Sequence, residues 1–366
     1  MELPRFELDH WLNSHEFGTS PIRFNLGSST GPKWTIEELR ALPLGRLDLS
    51  SIPIGYAPPE GSRELREAIA EHIGVDPDWV VVTTGASEAL LVLFCLASRR
   101  GANIILPTPN FPAFAALAQA WHLQVKSSEL RRDEDYRLTA DRLLALADEA
   151  TALALINSPH NPTGTVVQRA EIEHLAAGLG RLGAPLIVDE VYHPLYFGAA
   201  ATSAAGLDNV IAIGDFSKAL SLAGLRIGWI VDSDPDRRNR IIDARSYFTI
   251  SNSPLTEAIA AHALRNRAAI LDRLTATAAA NLAMVQEVIQ GSNILSWVRP
   301  TGGTTCFPWF NDGRNSRAFC EQLAAVGVLI VPGDCFDQPA HVRIGFGAQE
   351  DDFQTAAAMI GQALSG

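Results

Sequence analysis

The sequence predicts an α/β protein: a large domain with a mostly parallel central sheet flanked by helices, plus a smaller α+β domain. Three observations carry this. From about residue 45 to 255, apolar runs of strand length alternate with helical patterns. Several of those runs, "ATALALINSP" (150–159) and "APLIVDE" (184–190) among them, are apolar almost without interruption. Strands covered on both faces by helices require this, whereas half-exposed strands alternate. After residue 255 the rhythm changes to an alanine-rich stretch (255–290) and then to short strands with flanking helices. The large domain is therefore expected at 45–255, with 1–44 and 256–366 together forming the smaller one.

The elements follow in order. "ELDHWLNS" reads as a short helix, and "IRFNLGSSTGP" as an extended arm running into a loop. "TIEELRAL" is a short helix begun by Thr35, with acids in its first turn. A helix spans roughly 61–73. "WVVVTTG" (79–85) is a strand ending in glycine, followed by the helix "SEALLVLFCLA". "ANIILPTP" is a strand and "FPAFAALAQAW" a helix. The strand at 152–157 leads through "NSPHNPTG" to the helix "RAEIEHLAAGLGRLG". "NVIAIGDF" and "LRIGWIV" are further strands. A long helical region at 255–290 precedes "SWVRPTGGTTCFPWF", "FCEQLAAVGVLIVPG", "HVRIGFG" and a last helix, "DDFQTAAAMIGQAL".

Bulk properties exclude several classes. With 47% hydrophobic and 19% charged residues, the 366-residue chain has material for a large core and is not disordered. A net charge of −12 argues against nucleic acid, whose phosphates call for basic patches. The start carries acids and no apolar signal core, and no apolar stretch reaches the roughly 18 residues of a membrane helix. Cys95, Cys306, Cys320 and Cys335 are scattered without paired spacing, so neither a disulfide framework nor a zinc site is expected. The expected compartment is the cytoplasm.

Chemistry is sought beyond the carboxyl ends of the strands, where open α/β sheets bind ligands. Gly85, Ala86 and Ser87 open a helix there; free N–H groups and the positive dipole end suit a phosphate, although the same residues make an ordinary helix start. Asn161-Pro162 and Thr163-Gly164 form a turn that can aim the Asn161 amide, or a turn and no more. Asp189 follows a buried strand and needs a partner, either as a structural cap or against a cationic ring nitrogen. Then comes "GDFSKALSLAGLRIGW" (214–229). The chain has three lysines among 29 basic residues: Lys33, Lys126 and Lys218. Where arginine is otherwise preferred, a lysine in this Gly-, Ser- and Leu-rich stretch points to amine chemistry, which a guanidinium cannot perform. Together a phosphate site (Gly85–Ser87, Ser217, Arg226), a carboxylate (Asp189), donors for a ring oxygen (Asn161, Tyr192) and an amine (Lys218) describe pyridoxal phosphate.

On "YAPPEGSRELREAI", "TTGASEAL", "PTPNFPAF", "NSPHNPTG", "VDEVY", "FSKALSLAGLRIGW" and "VRIGFG", in that order, the chain resembles the fold-type I, class I/II aminotransferases, which depend on pyridoxal phosphate. Asn161, Asp189 and Lys218 stand 28 and 29 residues apart, near the family's spacing. The resemblance covers essentially the whole chain. It implies amino-group transfer between an α-amino acid and a 2-oxo acid. Lys218 would join the cofactor's aldehyde and shuttle a proton. Asp189 would keep the ring nitrogen protonated, and Tyr192 and Asn161 would bond the ring oxygen. Phe111 would stack on the ring, and Gly85, Ala86, Ser87, Ser217 and Arg226 would hold the phosphate. Tyr56 would reach the phosphate of a second subunit in a homodimer, and Arg343 would bind the substrate's α-carboxylate.

Two departures from the family stand out. Asp215 occupies the place, three residues before the lysine, where the family often has Ser or Thr on the phosphate. The N-terminal loop "NLGSSTGP" differs from the commoner glycine-rich substrate loop and offers Ser28 and Ser29 to the substrate. This arm, with "GDFSKA" and "YFTISNSPLTEA", is similar to the capreomycidine synthase branch, which implies elimination and cyclisation of an arginine derivative as the alternative to transfer; another lyase reaction stays open too. "GSSTG" (27–31) also matches the nucleophile elbow of serine hydrolases, in a poor context: no helix pattern follows it. A non-catalytic regulator on the same fold would need a DNA-binding segment for which no room is expected before residue 45.

Overall fold

The computed structural model describes residues 4–18 and 21–365. The segments α1 (Glu7–Glu16), β1 (Phe24–Asn25), α2 (Ile36–Arg40) and α3 (Arg63–Ile73) precede the main sheet. That sheet takes β2 (Val80–Thr83), β3 (Asn103–Thr108), β4 (Gln124–Glu129), β5 (Thr151–Asn157), β6 (Leu186–Asp189), β7 (Val210–Asp215) and β8 (Gly228–Val231). Its helices are α4 (Gly85–Ala97), α5 (Ala113–Ala120), α6 (Ala140–Leu144), α7 (Arg169–Gly180) and α8 (Pro235–Arg245). Then follow α9 (Pro254–Arg265), α10 (Arg267–Gln290), β9 (Leu295–Ser296), β10 (Thr305–Cys306), β11 (Trp309–Phe310), α11 (Arg317–Ala325), β12 (Val328–Leu329), β13 (Val331–Pro332), β14 (Val342–Gly345) and α12 (Phe353–Ser365).

The seven strands lie in the order β2-β8-β7-β6-β5-β3-β4. The neighbours from β7 through β4 are parallel, and β8 runs against both β2 and β7. Side chains alternate across the sheet. Leu153, Leu155, Ile187, Ile211, Ile213 and Ile230 share one core with α4, α5 and α8. Ala154, Ile156, Leu186, Val188 and Val210 share another with α6 and α7. Val80, Val82, Ala212, Trp229 and Val231 meet α3 and α9. Each fully buried Leu or Ile contributes about 1.5–3 kcal/mol, so register is strongly fixed.

This alternation positions the site. Asn157, Asp189 and Asp215 are each the last residue of their strands. By parity they extend the Leu155, Ile187 and Ile213 row, on the α4 side and at the carboxyl edge. Gly228, the first residue of the reversed β8, comes to the same edge opposite Asp215 and Thr83.

A separate core joins α1, β1 and the chain from α10 onward: Leu8, Trp11, Phe24, Leu26, Leu282, Phe307, Leu323, Ile344 and Ile360 are buried together. β1 pairs with β12 in parallel, and β14 lies between β10 and β13. The Trp11 indole donates to Ile330 O at 2.8 Å, fixing α1 to this unit.

Four details differ from the sequence reading. The 255–290 region is two helices, broken at Asn266, whose amide donates to Leu44 O (2.8 Å) and accepts from Leu44 N (2.9 Å). β4 is added at the sheet edge; its polar sequence, QVKSSE, reflects an exposed strand. β8 is antiparallel. α10 has the length and, at mean hydropathy 1.2, the composition to cross a membrane, although Leu274, Ala278, Leu282, Val285 and Ile289 bury its apolar stripe in the smaller core. Thr35 starts α2 as expected, with a capping box: its hydroxyl accepts from Glu38 N and its own N–H donates to the Glu38 carboxylate.

Candidate active site

The start of α4 forms one end of the site. Gly85 has φ +75°, and a Cβ there would stand 2.6 Å from Arg226 Nη2. A Cβ on Gly228 would stand 2.5 Å from the Gly85 carbonyl carbon and 2.7 Å from Ala86 N. Two absent side chains therefore let β8 and Arg226 close on the first turn of a 13-residue helix. Ala86 is buried there and Ser87 exposed. Arg226 Nη1 donates to Ala223 O at 3.2 Å and reaches Ser217 Oγ only at 3.5 Å. Unpaired helix N–H groups beside a guanidinium suit an anion. Behind them, Glu88 accepts from Thr84 N and pairs with the fully buried Arg245 at 3.2 Å.

The strand-end residues form the floor. Asn157 Nδ2 donates to Asp189 O (2.9 Å) and Asn157 Oδ1 accepts from Asn161 N (2.7 Å), so one amide sets both neighbours. Asp189 Oδ1 accepts from Val191 N at 3.1 Å. Burial pushes the Asp189 carboxyl up to about 7; the Val191 N–H opposes this and Asp215 adds to it. Burial also raises Asp215, while Lys218, Ser217 and Arg226 pull it down. Asp215 Oδ1 accepts from Ser217 N at 2.8 Å. Glu190 turns away, accepting from Ala204 N at 2.7 Å, and burial pushes it up to about 7.

Lys218 Nζ donates to Ser29 Oγ at 2.9 Å. Burial lowers its pKa; Asp215, more than Asp189, supports its charge. Ser29 is held by its own carbonyl, which accepts from Thr304 Oγ1 at 2.8 Å. Ser28 Oγ is instead engaged with Thr30 Oγ1 at 2.8 Å. Tyr192 Oη is buried without a partner at hydrogen-bond geometry, and burial pushes the phenol up to about 12, the Ser29 hydroxyl acting against it. Arg343, on β14 and 1% exposed, donates to Asn161 Oδ1 (3.2 Å) and Gly27 O (2.6 Å) and lies over the Phe336 ring. Its Nε has no partner, and among the described residues no carboxylate lies within ion-pair distance of it. Desolvation lowers its pKa.

The structure thus brings Ser29, Asn161, Asp189, Tyr192, Ser217, Lys218, Arg226 and Arg343 to one edge. Phe111 lies edge-on to Phe114 and to Phe6, both at 5.7 Å. Tyr56 is 84% exposed and joins none of them within one chain. The Gly27–Gly31 loop is followed by no helix before α2, so it has no elbow geometry. Sequence reasoning missed Asn157 and Thr304, which act on other site residues, and Asp9 of α1, whose carboxylate feels both Lys218 and Arg343. Only the three-dimensional return of α1 over Phe111 brings Asp9 there; Asn157 was legible as the polar end of an apolar strand.

Residues 32–360 match the model of the family described as aminotransferase class I and II. A capreomycidine synthase from Streptomyces vinaceus is 32% identical over 99% of this chain and 94% of its own length. A valine–pyruvate aminotransferase from Mycobacterium tuberculosis is 31% identical over 99% and 96%. Among solved structures, a PLP-dependent aminotransferase from Streptococcus suis superposes with a TM-score of 0.92 at 27% identity, covering 100% of this chain and 98% of that one.

Proposed function

The chain belongs to the class I and II aminotransferases, and from that premise we propose which of its residues do the work. It is a pyridoxal-phosphate-dependent enzyme that transfers an amino group between an α-amino acid and a 2-oxo acid. The residues fit that cofactor. The phosphate suits the α4 N-terminus with Arg226 and Ser217, where the two glycines leave space. The unpartnered Tyr192 Oη, with Asn161, suits the ring oxygen; Asp189, carrying a single backbone donor, suits the ring nitrogen; Phe111 suits the ring face. Bound there, the cofactor supplies an aldehyde for an amine and a ring that draws electrons from the substrate's Cα.

Lys218 Nζ, kept from full basicity by burial, would take the proton from the substrate Cα and hand it to the cofactor carbon that carried the aldehyde. Ser29 Oγ orients Nζ. Asp189 would hold a proton on the cofactor's ring nitrogen, an ion pair that would relieve its own burial. Arg343 takes the substrate α-carboxylate, for which its unpaired Nε and its isolation from acids prepare it. Ser28 and Ser29 line the substrate side. The single observation that carries the reading is a buried lysine amine whose one hydrogen bond, at 2.9 Å, goes to a neutral hydroxyl beside an unpaired buried guanidinium.

The test is a donor screen on purified protein. We expect a yellow enzyme that one α-amino acid converts to the colourless amine form of the cofactor, and a Lys218→Ala variant that is inactive and forms no covalent, borohydride-trappable bond to the cofactor. A colourless protein that takes up no added pyridoxal phosphate would sink the reading.

A second reading has one observation behind it. Asp9 offers a free carboxylate at the substrate side, suited to a cationic side chain. Elimination and cyclisation of an arginine derivative, as in the capreomycidine synthase branch, would use it. Product analysis with such a substrate separates the two: a cyclic product that keeps its α-amino group and has lost only its β-substituent, with neither ammonia nor an oxo acid released, favours cyclisation.

Further proposals complete the picture. The large domain spans 45–255, and 1–44 with 256–366 forms the smaller one. The enzyme works in the cytoplasm as a homodimer, with Tyr56 reaching the partner's phosphate site. Exposed Ile54 (78%), Tyr56 (84%) and Tyr247 (89%) support a covered surface, since Arg245 bonds Pro59 O and so joins their two segments. Sedimentation at micromolar concentration checks it.

A further inference from the structure

We propose that Asp215 makes capture of the cofactor proton-coupled: its carboxyl group and the cofactor's phosphate share one proton, which the protein takes up as the cofactor binds. The inference rests on the cofactor reading above and deepens it.

Geometry places the carboxyl in the anion cup. Asp215 and Gly228 are directly opposed across the antiparallel β7–β8 pair, so their Cβ directions share one face. On that face the Gly228 position meets Gly85 and Ala86 at the start of α4. Gly214 points the other way, into Trp229. Asp215 is 6% exposed, and its Oδ1 is bound to Ser217 N at 2.8 Å, so it does not turn out to solvent. The Ser217 hydroxyl and Arg226 of the same cup lie beside it.

Charge counting then requires a proton. A phosphate ester has its second pKa near 6 and is close to a dianion at neutral pH. The cup offers one guanidinium, Arg226, and a helix start worth about half a charge. An ionised Asp215 would set about three negative charges against about one and a half positive ones, and buried like charges do not all stay ionised. The other groups facing it do not help. Asp189 is acidic, Tyr192 is neutral, and Lys218, the strongest opposite charge on Asp215, is the amine the cofactor engages. The proton comes from solvent, and no other bond changes.

The test uses the full chain carrying Lys218→Ala, so that no lysine amine faces Asp215, wild type or substituted at position 215, stripped of cofactor and titrated with pyridoxamine 5′-phosphate, which carries the phosphate but no aldehyde. Calorimetry in buffers of different protonation heat counts protons directly. At pH 8 the chain with Asp215 should take up about one proton more than Asp215→Ser and Asp215→Asn. Its dissociation constant should rise up to about tenfold more per pH unit than theirs. Both variants should bind about tenfold more tightly than the chain with Asp215 at pH 8, the gap closing by pH 6. Equal proton uptake with parallel pH profiles overturns the proposal. If both variants fail to fold by melting curves, the chain with Asp215 decides alone, and no net uptake at pH 8 overturns the proposal. If no protein binds pyridoxamine phosphate at any pH, the cofactor reading itself falls.

Discussion

The two ends of the proposed pocket, one assigned to the phosphate and one to the substrate, are made of different material. The phosphate end is largely backbone: the first turn of α4, admitted to β8 and Arg226 by the bare Cα atoms of Gly85 and Gly228. The substrate end is side chains held by other side chains and loop carbonyls: Arg343 on Asn161 and Gly27, Ser29 under Thr304, Lys218 on Ser29. A backbone cup recognises one constant group and leaves little to vary. A side-chain pocket can be retuned residue by residue, so differences of substrate within one family belong at that end. Removing a group from one end should therefore change what that end binds and leave the other intact.

The largest separation is expected for Arg343→Ala. It removes a fully buried guanidinium and leaves the Asn161 amide and Gly27 carbonyl without their donor. Losing such a charged contact costs about 2–5 kcal/mol, so kcat/KM for the amino acid should fall roughly 30- to 5,000-fold while cofactor affinity holds. Arg343→Lys should recover only part, because a point charge lacks the two-pronged fit. An equal loss of cofactor affinity would erase the distinction between the ends. Steady-state kinetics and a cofactor titration on the same preparation decide it.

Next in size is the response of the floor between the two ends to pH. Folding holds the Asp189 and Glu190 carboxyls protonated up to about 7, whereas unfolded carboxyls ionise near 4. Between those values the folded chain binds more protons than the unfolded one, so this share of stability is present at low pH and lost as pH rises through 7. The cofactor-free protein should accordingly lose melting temperature between pH 5.5 and 8, and Asp189→Asn should flatten the slope. Cofactor binding should flatten it too, by giving Asp189 a cation. A slope identical in wild type, Asp189→Asn and loaded enzyme would remove Asp189 from the account.

Legibility followed the same division. The elements of the proposed phosphate end are visible in sequence because strand, glycine and helix start are local and contiguous. Lys218 could be read because the chain is so poor in lysine. The proposed substrate end was only partly legible: Asn161 was visible from its turn, Arg343 came through a resemblance, and their mutual contact spans 182 residues. The helix break at Asn266 was hidden because its amide serves Leu44, 222 residues away. β8 looked like its parallel neighbours because buried strands read alike in either direction. Asp215 was visible as an oddity, but its facing needed the register of β7 against β8.

A smaller effect should come from Gly85→Ala. A left-handed φ costs a residue with a Cβ about 1–2 kcal/mol, and the added methyl would press on Arg226 Nη2. Since Arg226 is exposed and can give way, the expected loss is about tenfold in cofactor affinity rather than loss of the fold. Once saturated with cofactor, the variant should keep the wild-type KM for its amino acid. A changed KM at saturating cofactor would mean that the phosphate end also shapes the substrate end.

The smallest effect calibrates the others. Thr35 caps α2 outside both ends, its hydroxyl accepting from Glu38 N at 3.1 Å and its N–H donating to the Glu38 carboxylate at 2.6 Å. Losing such a cap costs about 0.5–2 kcal/mol. Here the lower half is expected, because α2 is five residues long and its cap lies in solvent. Thr35→Ala should lower the melting temperature by a few degrees and leave kcat, KM and cofactor affinity unchanged. The loop from Gly27 to Gly31 that carries Ser29 leads into this cap. If the variant also raised KM, the substrate end would extend through that loop to α2, and the boundary between the scaffold and the side-chain pocket would have to be moved outward to include it.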